Sequence, residues 1–418
     1  MTDDVIPSIP PHDTLSVKGA RIIILLGQLE LGGSQRQALL LARHLRDQYL
    51  AEVEIWGKKA GRLVGICDEH NIPWHVVEMP LPWSHSRVKQ LVRLLRFAWI
   101  LRASRPDVIL PYEYSQGVIG GVVWRLTGAK ACVWNESGSP VRRIGGRPEQ
   151  FAIRHTSALV ANSEASARFL AETLEAPQSQ ISIIRRGVEL EESKMDRLAW
   201  REQQQIDPDC FVACMVANLK RSNDHVTLLK AWRIVVDRMA VMGRKAVLLL
   251  AGRFDETHES LKALAYDLEL FDEVRFPGQV KDISGLARAA DLCVHSSMSE
   301  SCPYGVLECM AAGLPVAATD SPGVRDAVGS TGYPFLALPG NEEELAGRVL
   351  SLAQDPAMRA ELGAANRQRI EAEFSQSRMC EQTVAVIVDG LSRRTSPPAN
   401  SVVRPRRSTM GSGTAADV

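Results

Sequence analysis

Several features that would reveal a function directly are missing from this sequence of 418 residues. The eight cysteines form no C-x-x-C pair, and no histidines stand beside them at zinc spacing, so no zinc site is predicted. No D-x-D motif leads into a predicted cleft, and therefore no metal ligand is assigned. The formal net charge is zero, which disfavours a globally basic nucleic-acid-binding protein. The longest aliphatic runs have the length of a strand, far short of a membrane span.

Both ends of the chain lack the apolar runs that a packed core or a membrane anchor needs. Residues 1–17 hold proline and aspartate, which predicts a disordered segment and neither a signal peptide nor an anchor. Residues 392–418 are rich in arginine, serine, proline and glycine, which predicts a disordered tail. The scattered, unpaired cysteines favour a reducing, cytoplasmic location.

Between these ends, the sequence has the pattern of an α/β protein. Its length exceeds what one hydrophobic core usually holds, which predicts two domains. Short aliphatic runs alternate with amphipathic segments, as in parallel sheets with helical crossovers. We predict two Rossmann-like domains, at residues 18–190 and 191–374. The predicted strands are residues 21–26, 52–56, 74–77, 108–111, 131–134, 158–161, 181–184, 211–216, 246–251, 274–276, 292–295 and 315–318.

The most informative stretch is Glu300-Ser-Cys-Pro-Tyr-Gly-Val-Leu-Glu308, which places two carboxylates at a strand-to-helix junction. Glu300 is predicted on the loop, and Glu308 about one turn into a helix closed by Gly313 and Pro315. Open α/β sheets bind ligands beyond the carboxyl ends of their strands, and helix N-termini attract phosphate. Carboxylates that accept hydrogen bonds from hydroxyls beside such a site suit a nucleotide-sugar. Two solvated glutamates on a surface helix are the alternative.

The stretch from Ser299 to Asp320 resembles the E-x7-E signature of the family-4 retaining glycosyltransferases, which have the two-domain GT-B fold. The resemblance implies that Glu300 contacts hydroxyls of the transferred sugar and that Glu308 holds the ribose of the nucleotide. Cys302 stands where the family usually has an aromatic residue. The segment between the two glutamates is expected to bind the donor through Cys302, Pro303, Tyr304 and Gly305.

A second landmark follows the first strand, where Gly32-Gly33 precedes a predicted helix at residues 35–49. Paired glycines let backbone N–H groups approach a bound anion closely. The pattern is not G-x-G-x-x-G, and no acidic residue ends the second strand, so a dinucleotide oxidoreductase is disfavoured and no cofactor is predicted. The segment resembles the family's GG loop, which faces the donor phosphates; an ordinary turn is the alternative. The family's Pro-Asn-Gly landmark reads Arg185-Arg186-Gly187 here.

The loop expected to hold the leaving diphosphate departs from the family pattern. Without a metal, cations and oriented N–H groups must stabilise the charge on that diphosphate. The resemblance aligns Asn218 and Asn223 with the family's Arg and Lys. Lys220 and Arg221 in the same loop are the predicted substitutes, and Arg253 at the next strand end is a further candidate. If neither of the first two reaches the cleft, a degenerate, non-catalytic relative is the alternative.

Polar residues at strand ends of the first half are candidate contacts for the sugar or the acceptor. Family members often place a His or Asn at one such strand end, and Asn135 and Glu136 hold that place here. Glu113 follows an earlier strand and is a second acceptor-side candidate. For each of them, a polar loop without a role in the reaction is the alternative.

The stretch from Met79 to Pro106 contains no acidic residue. Its basic residues are Arg87, Lys89, Arg93, Arg96, Arg102 and Arg105. One face of the corresponding helix holds Val88, Leu91, Val92, Leu95, Ala98 and Trp99. The simpler interpretation is a crossover helix whose apolar face packs on the sheet. The alternative is that its basic face and Leu81-Pro-Trp83 contact an anionic membrane.

The resemblance covers most of residues 20–391 and implies two sheets that face a central cleft, with a last helix, residues 375–391, returning to the first domain. It implies retaining, metal-independent transfer of a sugar from a nucleoside diphosphate of the UDP or GDP type. A glycan or a lipid-linked molecule is the expected acceptor, in surface polysaccharide biosynthesis at the cytoplasmic side of the membrane. The alternatives are a nucleotide-sugar epimerase of the same fold, a non-catalytic partner protein, and a nucleic-acid-binding protein that uses the basic stretch.

Overall fold

Short aliphatic runs form the strands of two separate parallel sheets in the computed structural model of the chain. The structure describes residues 17–80, 87–136, 146–189, 192–193 and 195–392. The predicted disordered ends therefore lie outside the described residues, except for residues 17 and 392. Leu81-Pro-Trp83 also lies outside them.

In the described part of the first half, seven strands form one parallel sheet in the order β3-β2-β1-β4-β5-β6-β7. These strands are β1 (Arg21–Leu25), β2 (Glu52–Gly57), β3 (Trp74–Val76), β4 (Val108–Pro111), β5 (Ala131–Glu136), β6 (Ala158–Ala161) and β7 (Ile181–Ile183). The helices between them are α1 (Gly33–Tyr49), α2 (Leu63–Glu69), α3 (Arg87–Ala103), α4 (Glu113–Thr127), α5 (Gly146–His155) and α6 (Glu164–Arg168).

The described part of the second half repeats this arrangement with six parallel strands in the order β10-β9-β8-β11-β12-β13. These are β8 (Phe211–Val216), β9 (Ala246–Ala251), β10 (Val274–Gly278), β11 (Leu292–His295), β12 (Val316–Thr319) and β13 (Leu336–Ala337). The helices are α7 (Arg197–Gln203), α8 (His225–Val241), α9 (His258–Asp267), α10 (Ile283–Ala289), α11 (Tyr304–Ala311), α12 (Pro322–Gly332), α13 (Glu342–Gln354), α14 (Pro356–Glu373) and α15 (Gln376–Ser392).

Both strand orders reverse once, and this reversal fixes where a ligand can bind. In the first sheet the strand order reverses between the neighbouring strands β1 and β4. In the second sheet it reverses between β8 and β11. The loops beyond these strand ends diverge and leave a crevice. The crevices hold the glycine loop and Glu113 on one side, and the Asn218 loop and Glu300 on the other. The predicted α/β fold of two Rossmann-like units about a cleft is confirmed.

The last helix, α15, packs against the first half although it follows the second in sequence. Met379, Cys380, Val384 and Ile387 are buried in the same core as strands β1 and β2. The chain therefore crosses between the halves twice, near Val188 and again near Ser375. The two crossings pair with each other in a parallel bridge.

The strands lie within one or two residues of their predicted bounds, with one omission. Strand β13 has only two residues, too few for a periodic signal. Helix α6 is capped by the Ser163 side chain, and it continues as a π-helical segment at Phe169–Thr173.

The predicted packing of α3 is wrong for most of its apolar face. Phe97 and Ala98 are buried with Leu101, whereas the stripe predicted to face the sheet lies largely in solvent. The exposed residues are Val88, Leu91, Val92, Leu95 and Trp99. The helix carries two adjacent apolar stripes, and the one that packs belongs to its second half. In the described part of the chain, no helix combines the length and apolarity needed to cross a membrane.

Helix α4 lies unusually close to strand β5, and this contact gives a test of the fold. A methyl group added at Gly117 would overlap the fully buried indole ring of Trp134. We expect Gly117→Ala to lower the free energy of unfolding by about 1–3 kcal/mol, because the core cannot accept the added volume. Urea denaturation measures this change.

The control is Gly347→Ala in α13, where an added methyl group meets no atom within 4 Å. This variant should be neutral or more stable by up to about 1 kcal/mol, because alanine favours a helix over glycine. Equal effects of the two substitutions would contradict the close packing of α4 on β5.

Candidate active site

The carboxyl ends of the two sheets enclose a cavity of about 380 Å³ between the halves of the chain. The first half contributes the glycine loop after β1, the start of α4 and Arg186. The second half contributes the loops after its central strands and the start of α11. The predicted site residues that line the cavity are Gly32, Gly33, Glu113, Asn218, Lys220, Asn223, Glu300, Cys302, Pro303, Tyr304, Gly305 and Glu308.

The loop between β11 and α11 is closed by its own hydrogen bonds. The Glu300 carboxylate accepts from the backbone N–H of Ser301 at 3.1 Å and from that of Cys302 at 3.4 Å. The Glu300 carbonyl accepts from the N–H of Gly323 at the start of α12, at 2.9 Å. These contacts hold the half-buried carboxylate at the cavity wall.

Glu308 lies just over one turn into α11 and is only 5% exposed. Its Oε1 forms an ion pair with Nη1 of Arg36 at 2.5 Å. Arg36 belongs to α1, in the other half of the chain, and its guanidinium carbon lies 5.2 Å from the centre of the Tyr304 ring. Burial raises the pKa of the Glu308 carboxyl, and Arg36 opposes that shift. A ligand hydroxyl that binds this oxygen must therefore share it with Arg36 or displace Arg36.

Asn218 and Asn223 line the cavity, but their side chains also hold their own loop together. The Asn218 carbonyl accepts from the Asn223 side-chain amide at 2.8 Å. The Asn218 side-chain oxygen accepts from the backbone N–H of Arg253 at 3.1 Å. These bonds order the loop beyond β8 and supply no positive charge.

The predicted substitute cations lie in different places. Lys220 lines the cavity and is exposed to solvent. Arg221 is exposed and is not among the described residues that line the cavity; its backbone N–H donates to Glu256 at 3.1 Å. Arg253 is also absent from that lining, since its side chain pairs with Asp255 at 2.6 Å and with Glu30 at 3.6 Å.

Arg186 is a cation of the cavity that the sequence did not single out as a site residue. Its side chain is 8% exposed, and Nη1 donates to the Cys302 carbonyl of the second half at 3.1 Å. The same Nη1 lies directly against Gly33, where an added Cβ would overlap it. A side chain at position 33 would therefore push this guanidinium from its place.

Glu113 is the first residue of α4 and has a left-handed backbone conformation, with φ of 69°. This conformation is strained in a residue with a Cβ, and such strain concentrates at functional sites. Burial raises the pKa of the carboxyl, while a hydrogen bond from Ser34 and the charge of Arg186 oppose the shift. Glu113 thus reaches the cavity wall beside the glycine loop.

Asn135 and Glu136 are buried beside the cleft. They are 7% and 3% exposed at the end of β5, and they line a separate cavity of about 40 Å³. Ser34 and Arg186 line both cavities, so this inner pocket adjoins the cleft from the side of the first sheet. The structure does not place Asn135 or Glu136 on the wall of the main cavity, among the residues it describes.

The buried thiols have no reactive character. All eight cysteines are buried and unbridged. Burial raises the pKa of the Cys302 thiol to about 11, so at neutral pH this thiol is protonated and packs against its neighbours. Within the described residues, no three His, Cys, Asp or Glu side chains meet as a metal site requires.

The two cationic residues that the sequence missed as site residues, Arg36 and Arg186, both belong to the first half and reach across the cleft. One available signal was the replacement of Pro-Asn by Arg185-Arg186 before Gly187. The pairing of Arg36 with Glu308 had no signal in a single sequence, because 272 positions separate them.

Two family models match the chain and together span most of it. Residues 31–192 match the model described as Glycosyltransferase Family 4, and residues 196–369 match the model described as Glycosyl transferases group 1. The boundary between the two matches falls at the crossing between the two sheets.

Curated relatives and solved structures agree with this assignment. A D-inositol 3-phosphate glycosyltransferase of Thermobispora bispora is 27% identical, over 88% of this chain and 92% of that protein. A 2-deoxystreptamine glucosyltransferase of Streptomyces kanamyceticus is 28% identical, over 73% of this chain and 86% of that protein. The crystal structure of Anabaena HepE in complex with UDP-glucose superposes with a TM-score of 0.74 at 20% identity, over 88% of this chain and 99% of that one. At this identity, the structural likeness shows the fold alone.

The raised pKa of Glu113 predicts a pH-dependent effect of Glu113→Gln. The ordinary glutamate pKa is 4.5, and burial raises the folded value. The folded state therefore holds this proton more tightly, and the resulting stability is lost as the pH rises through the folded pKa. The melting temperature of the wild type should therefore fall relative to that of the variant as the pH rises above about 4.5. A difference that stays constant or reverses would contradict the burial of this carboxyl.

Proposed function

The chain belongs to glycosyltransferase family 4 and is a glycosyltransferase of the GT-B fold, and from this premise we propose that it transfers a sugar from a nucleoside diphosphate with retention of anomeric configuration. The observation that carries the proposal is the placement of Glu300 and Glu308 on one cavity wall, beside the start of α11. In this proposal the ribose hydroxyls bind Glu308, the sugar hydroxyls bind Glu300, and backbone N–H groups at the helix start face the diphosphate.

The buried Glu308 suits this role because a carboxylate in a protein interior needs donors. Arg36 fills part of that need through its ion pair with Oε1. A ribose offers two neighbouring hydroxyls, which donate to a carboxylate without adding charge. We propose that nucleotide binding moves Arg36 off Oε1 and towards the ring of Tyr304, which it already faces.

In the proposed reaction, the bond between the anomeric carbon and the diphosphate oxygen breaks, and its electron pair stays on the diphosphate. An acceptor hydroxyl attacks the anomeric carbon from the same face and loses its proton to the departing phosphate oxygen. No separate nucleophile and no metal take part in this scheme. Residues that hold the diphosphate therefore carry much of the catalysis, because the negative charge grows there. Glu113 is proposed to contact the acceptor, and Asn135 and Glu136 to support that side from the inner pocket.

The proposed donor is of the UDP or GDP type, and the proposed acceptor is a glycan or a lipid-linked molecule of surface polysaccharide biosynthesis. The relatives named above act on inositol phosphate and 2-deoxystreptamine, so their acceptors are polyols of different kinds. One observation favours a second candidate, a non-catalytic partner protein: the uncharged Asn218 and Asn223 on the cavity wall. Such a protein would not cleave any donor.

The nucleotide role of Glu308 is tested by thermal stabilisation with UDP, GDP, ADP and their sugars. A ligand at 100 times its Kd stabilises a protein by about 2.7 kcal/mol, which raises the melting temperature by a few degrees. We expect one nucleotide to stand out and Glu308→Ala to abolish its shift, since the ribose loses its acceptor. The control is Glu361→Ala, which removes an exposed carboxylate of α14.

An undiminished shift in Glu308→Ala would contradict the ribose role. Incubation of the selected donor without an acceptor separates the candidate functions. A glycosyltransferase hydrolyses the donor slowly, an epimerase converts it into a different nucleotide-sugar, and a non-catalytic partner leaves it unchanged.

We also propose that α3 contacts an anionic membrane surface, through the segment from Arg87 to Arg105. Its exposed apolar stripe, which includes Leu91, Leu95 and Trp99, lies beside exposed basic residues that include Arg93 and Arg96. Buried apolar area and attraction to anionic headgroups together hold such helices in the interface. This contact would place the protein at the cytoplasmic face of the membrane.

The membrane contact is tested by flotation with vesicles of phosphatidylcholine, with and without phosphatidylglycerol. Each cation near such a surface contributes about 1 kcal/mol, so Arg93→Glu with Arg96→Glu should lower binding to anionic vesicles by about tenfold or more. Arg238→Glu with Lys262→Glu makes the same charge change on exposed residues of the second half and should have little effect. Equal losses in both double variants would contradict a specific role for α3.

A further inference from the structure

We propose that Arg186 is the catalytic cation that stabilises the leaving diphosphate, in place of the charged residues that the second half lacks at Asn218 and Asn223. This inference rests on the proposed function and assigns one residue within it. Among the described residues, the arginines and lysines that line the cavity are Arg36, Arg186 and Lys220. Their surroundings differ, and those differences favour Arg186.

Arg36 forms a 2.5 Å ion pair with Glu308, and in the proposed function the nucleotide turns it towards the ring of Tyr304 and not towards the diphosphate. Lys220 is exposed, where water screens its charge and the long side chain loses entropy when it is fixed. Arg186 is 8% exposed and already fixed by its bond to the Cys302 carbonyl. A buried charge acts on a phosphate through a lower dielectric than an exposed one, so its interaction is stronger. Its flat fork also offers several donors to phosphate oxygens.

The position of Arg186 is that of a bridge between two helix starts. Helix α1 begins at Gly33, and the Arg186 guanidinium lies directly against that residue. Helix α11 begins at Tyr304, two residues after the carbonyl that Arg186 binds. A helix N-terminus in general offers N–H groups without an intrahelical partner and the positive end of a dipole. A diphosphate held at either start would lie beside this guanidinium.

The backbone that carries Arg186 is held rigidly. The Gln37 side-chain amide donates to the Gly187 carbonyl at 2.8 Å, and its oxygen accepts from the Gly187 N–H at 2.9 Å. The next N–H, of Val188, donates to the Phe374 carbonyl at 2.8 Å. A cation fixed before the reaction stabilises the developing charge without the cost of reorganisation. Gln37 is thus a positioning residue for Arg186.

Neighbouring Arg185 provides a matched control, because it has the same side chain and points elsewhere. It pairs with Asp326 at 3.0 Å and with Glu373 at 3.2 Å and does not line the cavity, among the described residues. If the charge at position 186 acts on the diphosphate, its removal should weaken the binding of that group and leave the contacts of the nucleoside unchanged. Loss of fold would affect both alike.

The experiment measures the binding of the preferred nucleoside diphosphate, selected from UDP, GDP and ADP, and of the matching monophosphate. Arg186→Gln should weaken diphosphate binding about tenfold or more and monophosphate binding less than about threefold. For cleavage of the matching nucleotide-sugar, it should lower kcat about a hundredfold or more, with a smaller change in KM. Arg186→Lys should recover part of the loss. Arg185→Gln should leave the ratio of the two affinities unchanged.

The outcomes separate this inference from the function on which it rests. If the wild type binds no diphosphate of the panel and cleaves no donor, the proposed function fails and this inference with it. If the wild type binds and Arg186→Gln keeps the affinity ratio and kcat, only the role of Arg186 is overturned. If Lys220→Gln alone lowers the ratio of diphosphate to monophosphate affinity, Lys220 and not Arg186 stabilises the diphosphate. If Arg186→Gln weakens both affinities equally, Arg186 has a structural role only.

Discussion

A carboxylate buried at the centre of the cleft needs a cation, and the chain supplies it from its other half. Glu308 lies one turn into a helix of the second half, and Arg36 reaches it from a helix of the first. A buried charge without a partner would be strongly destabilising, so the two halves are tied electrostatically as well as by packing. Any group that enters the cleft and binds Glu308 also acts on Arg36 and on the ring of Tyr304. Ligand binding and the relative placement of the halves therefore influence each other.

The distribution of charge over the cleft is uneven. In the second half the loop beyond β8 is ordered by amide hydrogen bonds of Asn218 and Asn223, while Arg253 is engaged by Asp255. In the first half, the buried Arg186 lies against the glycine loop, close enough to Glu113 to oppose the rise in its pKa. Among the described residues that line the cleft, the buried positive charge thus lies on the side that carries the glycine loop. A side chain at Gly33 would remove the space that this arrangement needs.

The sequence predicted the strands well because buried parallel strands are short, aliphatic and bounded by polar loops. The positions of Glu300 and Glu308 followed from the same logic, since a strand end and a helix start specify each other. Other features depend on tertiary contacts that one sequence does not encode locally. A helical wheel of α3 shows two apolar stripes and cannot tell which one packs, and Phe97 and Leu101 proved to be the buried ones. Arg36 and Arg186 act across the cleft, so their distance from Glu308 and Cys302 along the chain hides them.

The two crossings between the halves lie side by side at Val188 and Ser375, so any rotation of one half against the other would have to bend the chain there. Two connections that run side by side would act as hinge residues, and one half would rotate against the other about them. The displacement of an atom grows with its distance from such a hinge. Arg186 stands two residues from it and would keep its place during opening, whereas loops at the far rim would swing widely. The charge of Arg186, close to the hinge, would thus hold the leaving diphosphate while other ligands enter and leave at the open side of the cleft.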